Sequence, residues 1–122
     1  MPWSYRTTDE MDEWVECLGQ EERNEIAAML DALTRLGPSL GRPIADTLNG
    51  SVYPNMKELR GRTPGSVLRV AFAFDPERIA QVLCGGDKKG VSQKKFYRKL
   101  IAKADRLYKM HLQALAAKKK GR

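Results

Sequence analysis

Histidine is almost missing from this 122-residue chain: His111 stands alone. A histidine-based metal site or a Ser/His/Asp triad therefore has little to be built from, and His111, one turn beyond Tyr108, reads as a partly exposed packing residue. Cysteine is scarce too. Cys17 and Cys84 lack metal-ligand spacing and read as small buried thiols in a reducing compartment rather than a disulfide. No apolar run approaches the roughly 20 residues needed to cross a bilayer. The opening MPWSYRTTDEMDEW lacks the basic-then-apolar order of a signal peptide. These absences set the expectation of a cytoplasmic protein with no membrane partner. Gly85, Gly86 and Gly90 form neither a P-loop nor a dinucleotide fingerprint, so no cofactor is indicated.

What is abundant is charge, and it is unevenly placed. Residues 1–36 carry three Lys/Arg against nine Asp/Glu, whereas residues 87–122 carry thirteen against two. The formal net charge of +7 therefore understates the basic end. Such polarity offers a positive face to a polyanion, and nucleic acid is the natural candidate because neutralised phosphates release counterions. A frayed basic tail would be the plain alternative, but residues 87–109 keep a strong excess without it.

Periodicity predicts an α+β domain. Residues 3–6 suit a short edge strand. Thr7 and Glu10 have capping-box spacing for a first helix that places Trp14, Val15 and Leu18 on one face. A second helix over 20–36 aligns Ile26, Met29, Leu30, Leu33 and Leu36 and stops at Gly37-Pro38. The two form a helical hairpin with an acidic outer side. Residues 37–50, with three glycines and two prolines, read as a loop. Strands follow at 55–60, 67–74 and 79–85, joined by short turns into a small antiparallel sheet. Ser92 then caps a long helix over 93–117 whose apolar stripe runs from Phe96 to Leu115. Residues 1–117 are expected as one domain and 118–122 as a disordered basic tail.

The chemistry is carried by cations and one phenol. Lys57 and Arg60 lie on the first sheet strand, with Met56, Glu58 and Arg60 on one side and Lys57 and Leu59 on the other. Arg69 sits within the most apolar strand, Lys88 and Lys89 follow the third, and Tyr97 opens the last helix. An antiparallel meander can bring such residues within reach of one another. Singly, each reads as a solvated charge, and Tyr97 as a core aromatic beside Phe96; the linked set is harder to dismiss.

NMKELRG, LRVAFAFDP, LCGGDKKG and FYRKLIAKAD, in that order, resemble the HigB-like toxins of the RelE/ParE superfamily, over the span from Trp14 to about His111. The resemblance implies a compact toxin of a type II toxin-antitoxin system that enters the ribosome and cuts mRNA. It also implies an antitoxin partner, often with a helix-turn-helix DNA-binding domain. The family's basic strand residues match Lys57, Arg60 and Arg69, its post-strand cations match Lys88 and Lys89, and its late aromatic matches Tyr97. Histidines that some members use are missing here.

Metal-free cleavage would run by attack of the RNA 2′-OH on its own phosphate. Arg60 and Arg69 suit the charge on the phosphorane, because guanidinium forks match phosphate oxygens and stay charged. Lys57 or Lys88 is the expected general base, Tyr97 stacks on a base or moves a proton, and Lys89, Lys94, Lys95 and Arg98 contact RNA. Three alternatives compete with this reading. One is a ParE-like gyrase-binding toxin without nuclease activity. The others are a non-enzymatic nucleic-acid-binding module and a degraded toxin kept as a regulatory partner.

Overall fold

Thr8, one residue after the expected cap, starts the first helix. In the computed structural model, which describes residues 2–121, the Thr8 hydroxyl accepts from the Met11 amide at 3.0 Å. It also donates to the Leu83 carbonyl. Thr7 is unavailable as a cap because it belongs to strand β1 (Tyr5–Thr7), paired with Val82. Helix α1 (Asp9–Glu16) and helix α2 (Gln20–Leu36) then form the hairpin. Ile26, Met29, Ala32 and Leu33 are buried along α2, while Leu36 stays 47 % exposed. Gly37 has φ +54°, and a Cβ there would lie 2.4 Å from the Trp3 ring, so glycine is needed for both backbone and space.

The sheet has five strands in the order β1-β5-β4-β3-β2. Strand β3 (Lys57–Thr63), strand β4 (Ser66–Phe74) and strand β5 (Ala80–Asp87) make the expected meander. Two features depart from expectation. Strand β2 (Ala45–Thr47) arises inside the presumed loop and pairs antiparallel with β3. It is too short to show alternation in sequence. β1 joins β5 in parallel, so the sheet is mixed rather than purely antiparallel. Between β1 and β5 the chain runs through the hairpin and strands β2, β3 and β4, a connection long enough for a parallel pair, which no turn could join.

Both sheet faces are covered, which explains why β4 is apolar on both sides apart from Ser66 and Arg69. Leu59, Leu68, Val70 and Phe72 face the hairpin, and Met56, Ala71 and Ala73 face helix α3 (Gln93–Lys120). The β4–β5 register slips between Ala71 and Phe72, and the extra residue turns both Leu83 and Cys84 toward α3. Ser92 caps α3 as expected, accepting from the Lys95 amide at 3.2 Å; the helix passes residue 117 and continues to Lys120. Of the two thiols, only Cys84 is buried, and burial pushes it up to about 12; Cys17 ends α1 in solvent, contrary to expectation. Among the described residues no helix is long and apolar enough to cross a membrane.

His111 does more than pack. Its Nε2 donates to Asp75 Oδ2 at 2.7 Å, and Asp75 also accepts from the Glu77 and Ile79 amides, tying α3 to the β4–β5 turn. Burial pushes the Asp75 carboxyl up, but the His111 hydrogen bond and the Ile79 and Glu77 amides outweigh it, so the net shift is downward. Its folded value therefore lies below its unfolded value. The stabilisation is fully present above the unfolded value of about 4 and is lost as pH falls through the folded one. Asp75→Ala should lower unfolding free energy by about 3 kcal/mol at neutral pH and flatten the acid limb of the stability curve, as denaturant titration at several pH values would measure.

Candidate functional site

The register of β3 and β4 sets Arg60 directly opposite Arg69 on the face toward α3. Like charges in that position repel, and the carboxylate two residues before Arg60 answers them. Glu58 is 3 % exposed. Its Oε2 accepts from Arg60 Nη2 at 3.1 Å, and its Oε1 lies 3.6 Å from Arg69 Nε. Tyr97, the fifth residue of α3, points its hydroxyl into the same space. That hydroxyl donates to Glu58 Oε1 at 2.8 Å and accepts from Arg69 Nε at 3.1 Å. Arg69 Nη1 is anchored on the Leu68 carbonyl at 2.9 Å. Opposite Arg69 on β5 stands Gly86, where a Cβ would press on the Phe96 ring at 3.0 Å. A side chain there would shift the start of α3, and with it Tyr97.

These groups floor a cleft of about 730 Å³. Thr47, Leu48 and Asn49 form one wall, and Gln93, Lys94 and Tyr97 of α3 form the other, with Lys88 at the rim. Lys88 Nζ lies 3.4 Å from Gln93 Oε1 and 5.6 Å from the Tyr97 ring centre. Burial, and next the charge of Arg69, lower the Lys88 ammonium below the ordinary lysine range, against the pull of Glu58. Burial and the Glu58 hydrogen bond raise the Tyr97 phenol, which keeps it protonated at neutral pH. Burial would lower Arg60, but its contacts with Glu58 prevail and the net shift is upward. Arg60 Nε is buried without a partner among the described residues. The cleft thus offers fixed cations, a phenol and an inward carboxylate. That set can grip a phosphate and move protons beside it.

The sheet brings together Arg60, Arg69, Lys88 and Tyr97, and adds Lys94. It does not bring Lys57, which pairs with Phe72 on the hairpin face. The alternation that puts Glu58 and Arg60 toward α3 turns Lys57 away. Lys89, Lys95 and Arg98 are exposed outside the cleft lining. Glu58, which lines the cleft between the two arginines, is not among the residues expected from the sequence. Its signal was its place on the buried face with Met56 and beside an arginine. A groove of about 760 Å³ lies on the opposite side, among β1, α1 and α2. Its floor of Met11, Val15, Ile26 and Leu30, rimmed by Asp12, Glu16 and Asp31, suits no polyanion.

Residues 13–109 match the family of phage-derived Gp49-like proteins (DUF891). HigB3 of Mycobacterium tuberculosis, which carries the word toxin in its name, is 41% identical over 96 residues, 79% of this chain and 82% of that protein. HigB2 of the same organism, likewise named a toxin, is 40% identical over 100 residues, 81% of this chain but 49% of its own length. In fold, the chain is similar to a mutant of the E. coli toxin RelE in the free state. The TM-score is 0.58 at 14% identity, covering 84% of this chain and 97% of that one.

Glu58→Ala should leave the Arg69 guanidinium, its side chain 9 % exposed, without a countercharge. The expected loss is about 3–5 kcal/mol of stability in denaturant unfolding, well above that of Lys57→Ala.

Proposed function

Because the chain belongs to the Gp49-like family, a HigB-like branch of the RelE toxin superfamily, we propose that this toxin is an endoribonuclease that cuts mRNA in the ribosome. The observation that carries the reading is the convergence of Arg60, Arg69, Lys88 and Tyr97 on buried Glu58 in one open cleft. A bare binding surface has no need to bury a carboxylate among its cations. The coarser role, toxin of a toxin-antitoxin pair with a cognate antitoxin, comes with the family; the ribosome, mRNA and a helix-turn-helix antitoxin are part of the proposal. Residues 1–117 act as one unit in this reading, with no cofactor and no metal.

The reaction assigned to the cleft is attack of a 2′-oxygen on the adjacent phosphorus. It breaks the bond to the 5′-oxygen and leaves a 2′,3′-cyclic phosphate and a 5′-hydroxyl. Glu58 is too deep to meet RNA directly, whereas Tyr97 is half-buried and faces both ways. The phenol therefore passes its proton to Glu58 Oε1 as it takes the one from the 2′-OH. Arg60 and Arg69 hold the non-bridging oxygens as negative charge builds, the kind of preorganised stabilisation that is often the largest catalytic contribution. Lys88, with its lowered ammonium, gives the proton to the departing 5′-oxygen. Lys57 is removed from the catalytic set, since it lies across the sheet. Lys94 guides the strand within the cleft, and Lys89, Lys95 and Arg98 extend the positive field beside it.

Ribosome-dependent cleavage of a short mRNA tests this set. Arg69→Ala and Tyr97→Phe should each lower the rate at least about a hundredfold while remaining folded, and Lys57→Ala should stay within about threefold of wild type. Full activity in both folded cleft variants would refute the assignment. Activity should also fall as pH rises through the lowered Lys88 value, because the donor must be protonated. In Lys88→Arg that basic limb should move to higher pH, which a pH–rate profile would record.

A further inference from the structure

The cleft wall opposite α3 is a loop, residues 48–56, with little sheet pairing of its own. Leu48 is buried in the α3-side core, and its amide is bonded to the Met56 carbonyl, which closes the loop at its base. Beyond Asn49 the chain turns at Gly50, φ +102°, where a Cβ would stand 3.2 Å from Ile101 Cδ1. The next residue, Ser51, donates its hydroxyl to Asp105 Oδ1 at 2.5 Å, and the Val52 amide donates to Oδ2 at 3.1 Å. Ser51 Oγ in turn accepts from the Tyr53 amide at 3.0 Å, and the Tyr53 ring meets Tyr108 edge-on.

Tyr97, Ile101 and Asp105 fall at successive turns on one edge of α3. Tyr97 enters the cleft, Ile101 underlies Gly50, and Asp105 grips the two residues after it. α3 holds ten lysines and arginines and a single carboxylate, and that carboxylate is spent on the loop. We infer that Asp105 is a positioning residue. By clamping Ser51 and Val52 to the helix that carries Tyr97, it fixes the separation of the two cleft walls and presents Thr47 to Asn49 in a shape already fitted to RNA. The inference rests on the cleft reading above. Asp105 touches no substrate; it removes the need to order the wall during binding, which would otherwise weaken affinity.

The test uses the full chain and a 2′-O-methyl oligoribonucleotide, which occupies the cleft but lacks the attacking hydroxyl. In Asp105→Ala, amide hydrogen exchange at residues 48–53 should accelerate while residues 93–101 of α3 keep wild-type protection. Affinity for the oligonucleotide should drop about tenfold per folded molecule. Asp105→Asn, which can accept only through one oxygen, should fall between. A purely structural Asp105 would lower the melting temperature yet leave affinity per folded molecule unchanged. That result, or unaltered exchange at 48–53, overturns the inference. Arg69→Ala serves as the control for the underlying reading. If it binds like wild type, the cleft itself is wrong; if it fails to bind while Asp105→Ala binds normally, only the positioning role is lost.

Discussion

A buried carboxylate beneath two opposed arginines is the contact on which the cleft depends. Without Glu58, the strand register would set Arg60 and Arg69 against each other in a partly dry space. With it, each guanidinium gains a fixed partner, and Tyr97 is drawn down by the same oxygen that faces Arg69. Burying charge is expensive, and an apolar replacement of similar shape often gives an equally stable fold. The arrangement is therefore better explained by function than by stability. It sets two guanidiniums and a phenol around one carboxylate, the arrangement on which the proposed RNA site rests.

The sheet separates two electrostatic environments. On one side lies the hairpin, which carries most of the acidic residues of 1–36 and an apolar groove. On the other lies α3, whose charged residues are all cationic except Asp105. A strand's period of two means that a step of one residue, from Lys57 to Glu58, crosses from one environment to the other. In the proposed role the acidic side would repel RNA and the basic side draw it in, so one charge pattern would set both affinity and orientation.

Much of this was legible in the chain. The hairpin, the three-stranded meander and the capped final helix each follow from a clean period and a clear stop signal, and they hold. β2 was not legible, because three residues after a proline carry no pattern. Nor was the parallel pairing of β1, which depends on where β5 arrives after the hairpin and three further strands. Within the site, Arg69 stood out as a charge in an apolar strand, and Tyr97 as a phenol at a helix start. Lys57 does not line the cleft, because the alternation of β3 turns it to the hairpin face. Glu58 was missed because a carboxylate among cations looks like a surface charge until the register shows that it is buried. His111, read as packing, gained its Asp75 partner from a turn 36 residues away, which no local pattern announces.

The claim that RNA is held by this one set of side chains is most directly examined by nuclear magnetic resonance. Arginine guanidinium, tyrosine ring and methionine methyl signals would be followed while a non-cleavable RNA strand is added. The account predicts that Arg60, Arg69 and Tyr97 shift together and saturate at one affinity, while Met11 and Met29 beneath the hairpin stay still. Shifts centred on the hairpin groove, with Arg60 and Arg69 unmoved, would contradict it.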